Sequence, residues 1–127
     1  MFRRTPVAVF VLAVWTLLVW SNRVYNIASD SANGDGLDLA RAIAFVLVGL
    51  AVAVVALAPT SPEVLHRVVS VAGWASIALW ATRIVTIPMG DHDVAFVVVH
   101  LVLAAISIAL ALWAMASTRA PLATTSA

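Results

Sequence analysis

Hydrophobic residues in this chain come in long uninterrupted blocks, and the polar residues collect between them. Four apolar blocks, each bounded by prolines or charged residues, cover residues 7–27, 39–58, 64–87 and 94–116. Each is close to the roughly 20 apolar residues that an α-helix needs to cross a bilayer. The pattern therefore predicts an all-α fold, an integral membrane four-helix bundle forming a single domain over residues 1–116. The small, polar segment 117–127 is predicted to be a disordered cytoplasmic tail.

Composition agrees with a chain surrounded mainly by lipid. Of its residues, 64% are hydrophobic and 10% are charged, whereas soluble domains are nearly half apolar and about a quarter charged. The first block is longer than the 7 to 15 apolar residues of a typical signal peptide, so we expect it to be retained as a span. The chain contains no cysteine, and its formal charge is +1. These two values exclude disulfide and thiol chemistry and argue against binding of nucleic acid.

The charged residues are distributed unequally between the two sides of the predicted bundle. Five of the six acidic residues fall in the first and third connections. Arginines mark the opposite side, and short loops rich in arginine are usually cytoplasmic. We therefore expect a multi-pass protein of the cell membrane whose N- and C-termini are both cytoplasmic. The arginines on that side are Arg3, Arg4, Arg67 and Arg119.

A short pattern, W-x-x-R-[V/I]-x-x-I, occurs at residues 20–27 and again at residues 80–87, an offset of 60 positions. Each copy ends an odd-numbered span. The even-numbered spans begin with Asp38 and Asp93, at an offset of 55. The chain is therefore predicted to consist of two tandem hairpins, with halves of about 7–58 and 64–116, related as in parallel-repeat transporters.

The repeated residues have simple structural interpretations. Trp20 and Trp80 are predicted to be interface anchors, because tryptophan favours the level of the lipid headgroups. An arginine near the end of one helix and an aspartate at the start of the next both interact favourably with the helix dipoles. Arg23 with Asp38, and Arg83 with Asp93, would then form an ion pair that closes each hairpin.

Other polar residues lie deeper than this arrangement requires. Arg41 follows Asp38 by one helical turn, and His100 follows Asp93 by two turns. Ionisable groups inside a span usually face the interior of a bundle or a water-filled cavity. We therefore predict a polar pocket that is open to the outside, to which Asn22, Asn26, Thr82 and Thr86 also contribute. Its candidate ligand-binding residues are Arg23, Asp38, Arg41, Arg83, Asp93 and His100.

Simpler roles for the deeper residues remain open. The side chain of Arg41 could extend to the membrane surface, and His100 could form a hydrogen bond between helices. Trp15 and Trp74 lie near the middle of their spans, where they either pack in the ordinary way or line an aromatic cavity below the pocket. Small residues in the even-numbered spans, such as Gly49 and Ala53, allow close helix contacts within the bundle or in a homodimer.

These residues favour a non-enzymatic binding or accessory protein that holds a lipid, a quinone-like molecule or an anionic ligand, alone or in a larger membrane complex. The alternative is a small-solute or ion transporter or channel acting as a homodimer. An enzyme with Asp93 and His100 as a proton relay ranks third, and no catalytic residue is assigned. The Asp-His-Asp sequence at 91–93 is a weak metal signal, so no metal is predicted and the cofactor is left unknown.

Overall fold

Four long helices form the protein. The computed structural model describes residues 5–30, 34–90 and 92–119. The helices are α1 (Val7–Ser29), α2 (Gly36–Leu57), α3 (Pro62–Met89) and α4 (Val94–Ser117). All four are long and apolar enough to cross a membrane, so the all-α, four-helix prediction is confirmed. Of the predicted tail, residues 120–127 lie outside the described part of the chain.

Side-chain caps explain why two helices begin earlier than their apolar blocks. At the start of α2, Asp35 Oδ1 accepts a hydrogen bond from Asp38 N at 2.9 Å, and Asp38 Oδ2 accepts one from Asp35 N at 3.2 Å. This reciprocal capping box satisfies two backbone N–H groups that have no partner within the helix. Ser61 Oγ accepts from Val64 N at 3.2 Å and caps α3 in a similar way. Both helices therefore include a polar first turn that a hydrophobicity pattern does not reveal.

The helices pack as a four-membered ring in chain order. The contacts of α1 with α2 and of α3 with α4 are the most extensive, while α1 with α4 and α2 with α3 touch less. Neighbouring helices are antiparallel. We call the end that holds the α1–α2 and α3–α4 connections the hairpin end, and the opposite end, where α1 and α3 begin, the terminal end.

Two groups of buried residues fill the interior. The larger one, which we call the terminal core, includes Val9, Leu12, Val52, Val69 and Met115 and joins all four helices near the terminal end. The second group, centred on Trp20, Ala42, Trp80 and Ala104, lies closer to the hairpin end. The bundle is thus tightly filled at one end and built around two large aromatic rings towards the other.

Six of the seven buried residues of α1 have buried counterparts in α3 at an offset of 60 residues, and three of the four buried residues of α2 have buried counterparts in α4 at an offset of 55. The pairs in α1 and α3 are Val9 with Val69, Leu12 with Ala72, Ala13 with Gly73, Thr16 with Ser76, Trp20 with Trp80, and Ile27 with Ile87. The pairs in α2 and α4 are Gly49 with Ala104, Val52 with Ser107, and Ala56 with Ala111.

Candidate functional site

A cavity of about 710 Å³ opens at the hairpin end, between the four helices. Its charged and amide groups lie near the ends of the helices, and its apolar side chains lie deeper. The lining residues are Val19, Trp20, Asn22, Arg23, Asn26, Asp38, Trp80, Arg83, Ile87, His92, Phe96, Val99, His100 and Leu103. Of the six predicted ligand-binding residues, the cavity therefore brings together Arg23, Asp38, Arg83 and His100.

Arg23 and Arg83 face this cavity from equivalent positions of α1 and α3. Within residues 5–30, 34–90 and 92–119, neither guanidinium group forms a hydrogen bond or an ion pair. Asp38 is the acidic group whose charge acts on Arg83. The two arginines therefore keep their hydrogen-bond donors available to a ligand.

The carboxylate of Asp38 is already engaged by its own helix. Its Oδ2 atom belongs to the capping box with Asp35, and its Oδ1 atom accepts from Arg41 Nη1 at 3.3 Å. Arg41 and Asp38 are three residues apart, a spacing that places side chains on the same helix face. Among the residues of the cavity wall, the charges of Arg23 and Arg83 against that of Asp38 leave a net charge of +1.

The two predicted ion pairs between helices do not form in the part of the chain that the structure describes. Asp38 pairs with Arg41 instead of Arg23. Asp93 Oδ1 accepts from Phe96 N at 2.8 Å and so caps α4, away from Arg83. Each aspartate thus accepts a hydrogen bond from a backbone N–H group at the start of its own helix, where unpaired N–H groups attract a carboxylate. Neither Arg23 nor Arg83 is therefore paired with either of these aspartates.

His100 belongs to a row of three stacked rings along α4. Phe96 stacks on His92 with ring centres 4.2 Å apart, and on His100 with centres 3.9 Å apart. The Nδ1 atom of His100 lies 2.8 Å from the backbone oxygen of Phe96. Because a carbonyl oxygen only accepts, Nδ1 carries the proton and Nε2 of the neutral ring is an acceptor. The histidine bonds within its own helix, so the predicted bond between helices is replaced.

Trp20 and Trp80 lie inside the bundle, with exposed fractions of only 6% and 5%. Their ring centres are 6.0 Å apart, and Trp20 also stacks on Phe45 at 4.8 Å. The expected interface anchors are therefore the floor of the cavity. The physical reason is their spacing: each tryptophan precedes an arginine by three residues and so shares its inward-facing side of the helix.

The two deeper tryptophans have different environments. Trp15 Nε1 donates a hydrogen bond to Ser107 Oγ at 2.8 Å and links α1 to α4. Trp74 is 61% exposed on the outside of the bundle and is absent from the cavity wall. Its equivalent at the offset of 60 is Val14, which is also exposed. A shift of one residue turns a side chain by about 100° around a helix, so Trp15 and Trp74 cannot share a role.

Several predicted residues lie outside the cavity wall, and six lining residues besides Trp20 and Trp80 were not predicted for the pocket: Val19, Ile87, His92, Phe96, Val99 and Leu103. Thr82 is exposed and donates to the Ala78 carbonyl oxygen at 2.8 Å. For Phe96 and His92, which carry rings, the available signal was spacing: Phe96 follows His92 by four residues and precedes His100 by four. The sequence-predicted residues outside the wall are Trp15, Arg41, Trp74, Thr82, Thr86 and Asp93.

No group of three or more histidine, cysteine, aspartate or glutamate residues that could hold a metal ion occurs among residues 5–30, 34–90 and 92–119. Asp91, the first residue of the Asp-His-Asp sequence, lies outside the described residues. The cavity instead offers guanidinium donors, an imidazole acceptor and apolar walls. Such groups suit an organic anion better than a cation.

The fold and cavity define a class: an all-α protein with four helices suited to crossing a membrane. Comparisons of the chain with protein-family models, with curated proteins and with solved structures find no match.

Proposed function

We propose that the protein is a non-enzymatic binding protein of the cell membrane that holds an anionic ligand in the cavity at its hairpin end. The observation that carries the proposal is the pair Arg23 and Arg83, which line the cavity without an ion-pair partner among the described residues. Charged side chains at membrane depth are costly and usually mark a site for a ligand, an ion or a proton. An anion bound between the two guanidinium groups offsets that cost.

Arginine is well suited to such a ligand. Its planar guanidinium group donates two parallel hydrogen bonds to a carboxylate or a phosphate. Hydrogen bonds to charged groups contribute about 1.5 to 3 kcal/mol each. Two arginines on different helices can therefore hold one anion from two sides, and their attachment to α1 and α3 links ligand binding to the packing of both hairpins.

The apolar side chains that fill the terminal end of the bundle favour a binding function over transport. The terminal core joins apolar side chains of all four helices below the cavity. Thr16, Ser76 and Ser107 are the buried polar residues of the described chain, and each is uncharged. A transported ion would have to pass this apolar barrier with only a few hydroxyl groups to replace its water, at a high desolvation cost. The transporter alternative would require a second conformation in which the terminal core opens.

The tandem-hairpin arrangement also belongs to this proposal. Its support is the agreement of buried positions at offsets of 60 and 55, together with the positions of Arg23 and Arg83. Duplication of a hairpin would place one arginine from each copy at a shared cavity. By the positive-inside rule, the hairpin end faces outward and both termini are cytoplasmic.

Native mass spectrometry of the protein, extracted gently from its own membrane, tests the function. We expect the wild type to retain a bound acidic molecule, which the double variant Arg23→Gln, Arg83→Gln loses. Arg67→Gln is the matched control, because Arg67 lies on α3 but is exposed at its other end. A wild type without an adduct, or an adduct kept equally by the double variant, would refute the proposed binding site.

A further inference from the structure

We propose that the ligand is an anionic phospholipid that reaches the cavity sideways from the bilayer, between α1 and α4. This inference rests on the proposed function and names the ligand class of the same site. The phosphate group would lie between Arg23 and Arg83, and the acyl chains would leave the bundle through the gap between the two helices.

The cavity is amphipathic along its depth. Along α4, its wall runs from Phe96 to Leu103, which corresponds to about 10 Å at 1.5 Å per residue. That is roughly a third of the 30 Å hydrocarbon core. The arginines and asparagines lie towards the hairpin end, and the deeper wall consists of Val19, the two tryptophans, Val99 and Leu103. A ligand that fills this space needs a charged head and an apolar part.

The wall is incomplete on the side of α4. No residue between 94 and 103 is buried, although the corresponding part of α2 buries Ala42 completely. Val99 both lines the cavity and has 54% of its surface exposed. On the facing helix, Asn22 also lines the cavity and is exposed. An opening to the surrounding lipid therefore lies between α1 and the first half of α4.

Size and charge agree with a lipid that is only partly enclosed. A volume of about 710 Å³ lies within the roughly 300 to 1,000 Å³ of pockets for drug-sized ligands. It takes a headgroup and the first part of the acyl chains, whose remainder stays in the bilayer. The two guanidinium groups and the net charge of +1 at the cavity wall attract a phosphate, and basic pockets between membrane helices bind anionic headgroups. Nε2 of His100 can accept a hydrogen bond from a headgroup hydroxyl.

Thermal unfolding of the purified protein in an uncharged detergent tests this inference with three probes. They are dioleoylphosphatidylglycerol, the zwitterionic dioleoylphosphatidylcholine, and the water-soluble glycerol 3-phosphate. We expect phosphatidylglycerol to raise the unfolding temperature saturably and the other two to have little effect. The double variant Arg23→Gln, Arg83→Gln should weaken this lipid's apparent affinity at least tenfold, and Arg67→Gln should leave it unchanged.

A pair of neighbouring valines tests the sideways path. Val99→Trp fills the opening between α1 and α4, so the apparent affinity for phosphatidylglycerol should fall at least tenfold. Val98→Trp is the matched control, because Val98 is 52% exposed but does not line the cavity. A contrary result would be that glycerol 3-phosphate binds as tightly as the lipid, with an affinity that Val99→Trp leaves unchanged. In that case the ligand is a soluble anion, so the lipid inference fails while the proposed function stands. If no probe binds, or if both lipids bind equally, the lipid inference fails, and the native mass spectrometry described above decides the proposed function.

A cross-linking measurement on the unaltered protein avoids any dependence on how the variants fold. Phosphatidylglycerol with a photoreactive group in its acyl chain should label residues 19–23 of α1 and 96–103 of α4. Unlabelled phosphatidylglycerol in excess should suppress that labelling. Equal labelling of the outer surfaces of all four helices, unaffected by the competitor, would show ordinary contact with lipid and would refute the inference.

Discussion

Replacing Trp20 by alanine should destabilise the bundle strongly, whereas the same change at Trp74 should have almost no effect. Trp20 is buried between Phe45 and Trp80, and Trp74 faces outward. Hydrophobicity alone predicts no such difference, since both are tryptophans within apolar spans. The comparison therefore tests which side of each odd-numbered helix faces the interior.

The size of the effect follows from the contacts of Trp20. Aromatic pairs contribute about 0.5 to 1.5 kcal/mol each beyond the area that they bury, and Trp20 has two such partners. The vacated space adds about 2.4 kcal/mol for a residual cavity of about 100 Å³, at 24 cal/mol per Å³. We therefore expect Trp20→Ala to lower the free energy of unfolding by about 3 to 5 kcal/mol. Trp74→Ala should change it by less than about 0.5 kcal/mol.

Unfolding in mixed micelles, with increasing mole fraction of sodium dodecyl sulfate, measures both variants by the loss of helix circular dichroism. A midpoint for Trp20→Ala well below that of the wild type, and an unchanged midpoint for Trp74→Ala, would agree with the structure. Equal effects of the two substitutions, or a larger effect at Trp74, would refute the assigned orientation of α1 and α3.

The same titration tests three further residues. Trp15→Phe removes the N–H that donates to Ser107, so we expect a loss of about 0.6 to 2 kcal/mol, with little further loss when Ser107→Ala is added. Gly49→Leu should cost about 1 to 3 kcal/mol through overpacking, because even a Cβ atom at this position would lie 3.1 Å from a side chain of α1. A Cβ atom at Gly36 would have nothing within 4 Å, so Gly36→Leu should be neutral. Asp93→Ala should cost about 1 kcal/mol through loss of the α4 cap, and Asp93→Asn should restore most of it. Three results would contradict these assignments. They are additive losses of stability for Trp15→Phe and Ser107→Ala, equal losses for Gly49→Leu and Gly36→Leu, and a loss for Asp93→Asn as large as that for Asp93→Ala.

The helices were predictable from sequence because a membrane span needs a length of apolar residues that soluble segments rarely contain. The repeat pattern also located the two cavity arginines, since Arg23 and Arg83 recur with the same neighbours. Helix starts were less predictable, because Asp35 and Ser61 extend α2 and α3 by polar turns. A hydrophobicity pattern assigns such turns to the connections.

Side-chain partners were the part that sequence could not provide. Asp38 had several arginines within reach, and the choice of Arg41 depended on helix geometry and the capping box. Residue type favours the membrane interface for Trp20 and Trp80, whereas the structure buries both rings inside the bundle. Their position relative to Arg23 and Arg83 decides the direction of each ring. Trp74 lies one residue before the position that corresponds to Trp15 at the offset of 60. This difference of one residue places its side chain on the outside of the bundle.

The central claim, a positively charged cavity open at the hairpin end, is tested most directly by the reactivity of a single cysteine. The chain has no cysteine of its own, so Asn22→Cys provides the only thiol at the cavity wall. Anionic and cationic methanethiosulfonate reagents of similar size should reach it at different rates from outside intact cells. We expect the anionic reagent to react about tenfold faster, relative to its rate with a free thiol. The substitutions Arg23→Gln and Arg83→Gln should abolish that preference. A cysteine that does not react from outside, or one that reacts faster with the cationic reagent, would contradict the account.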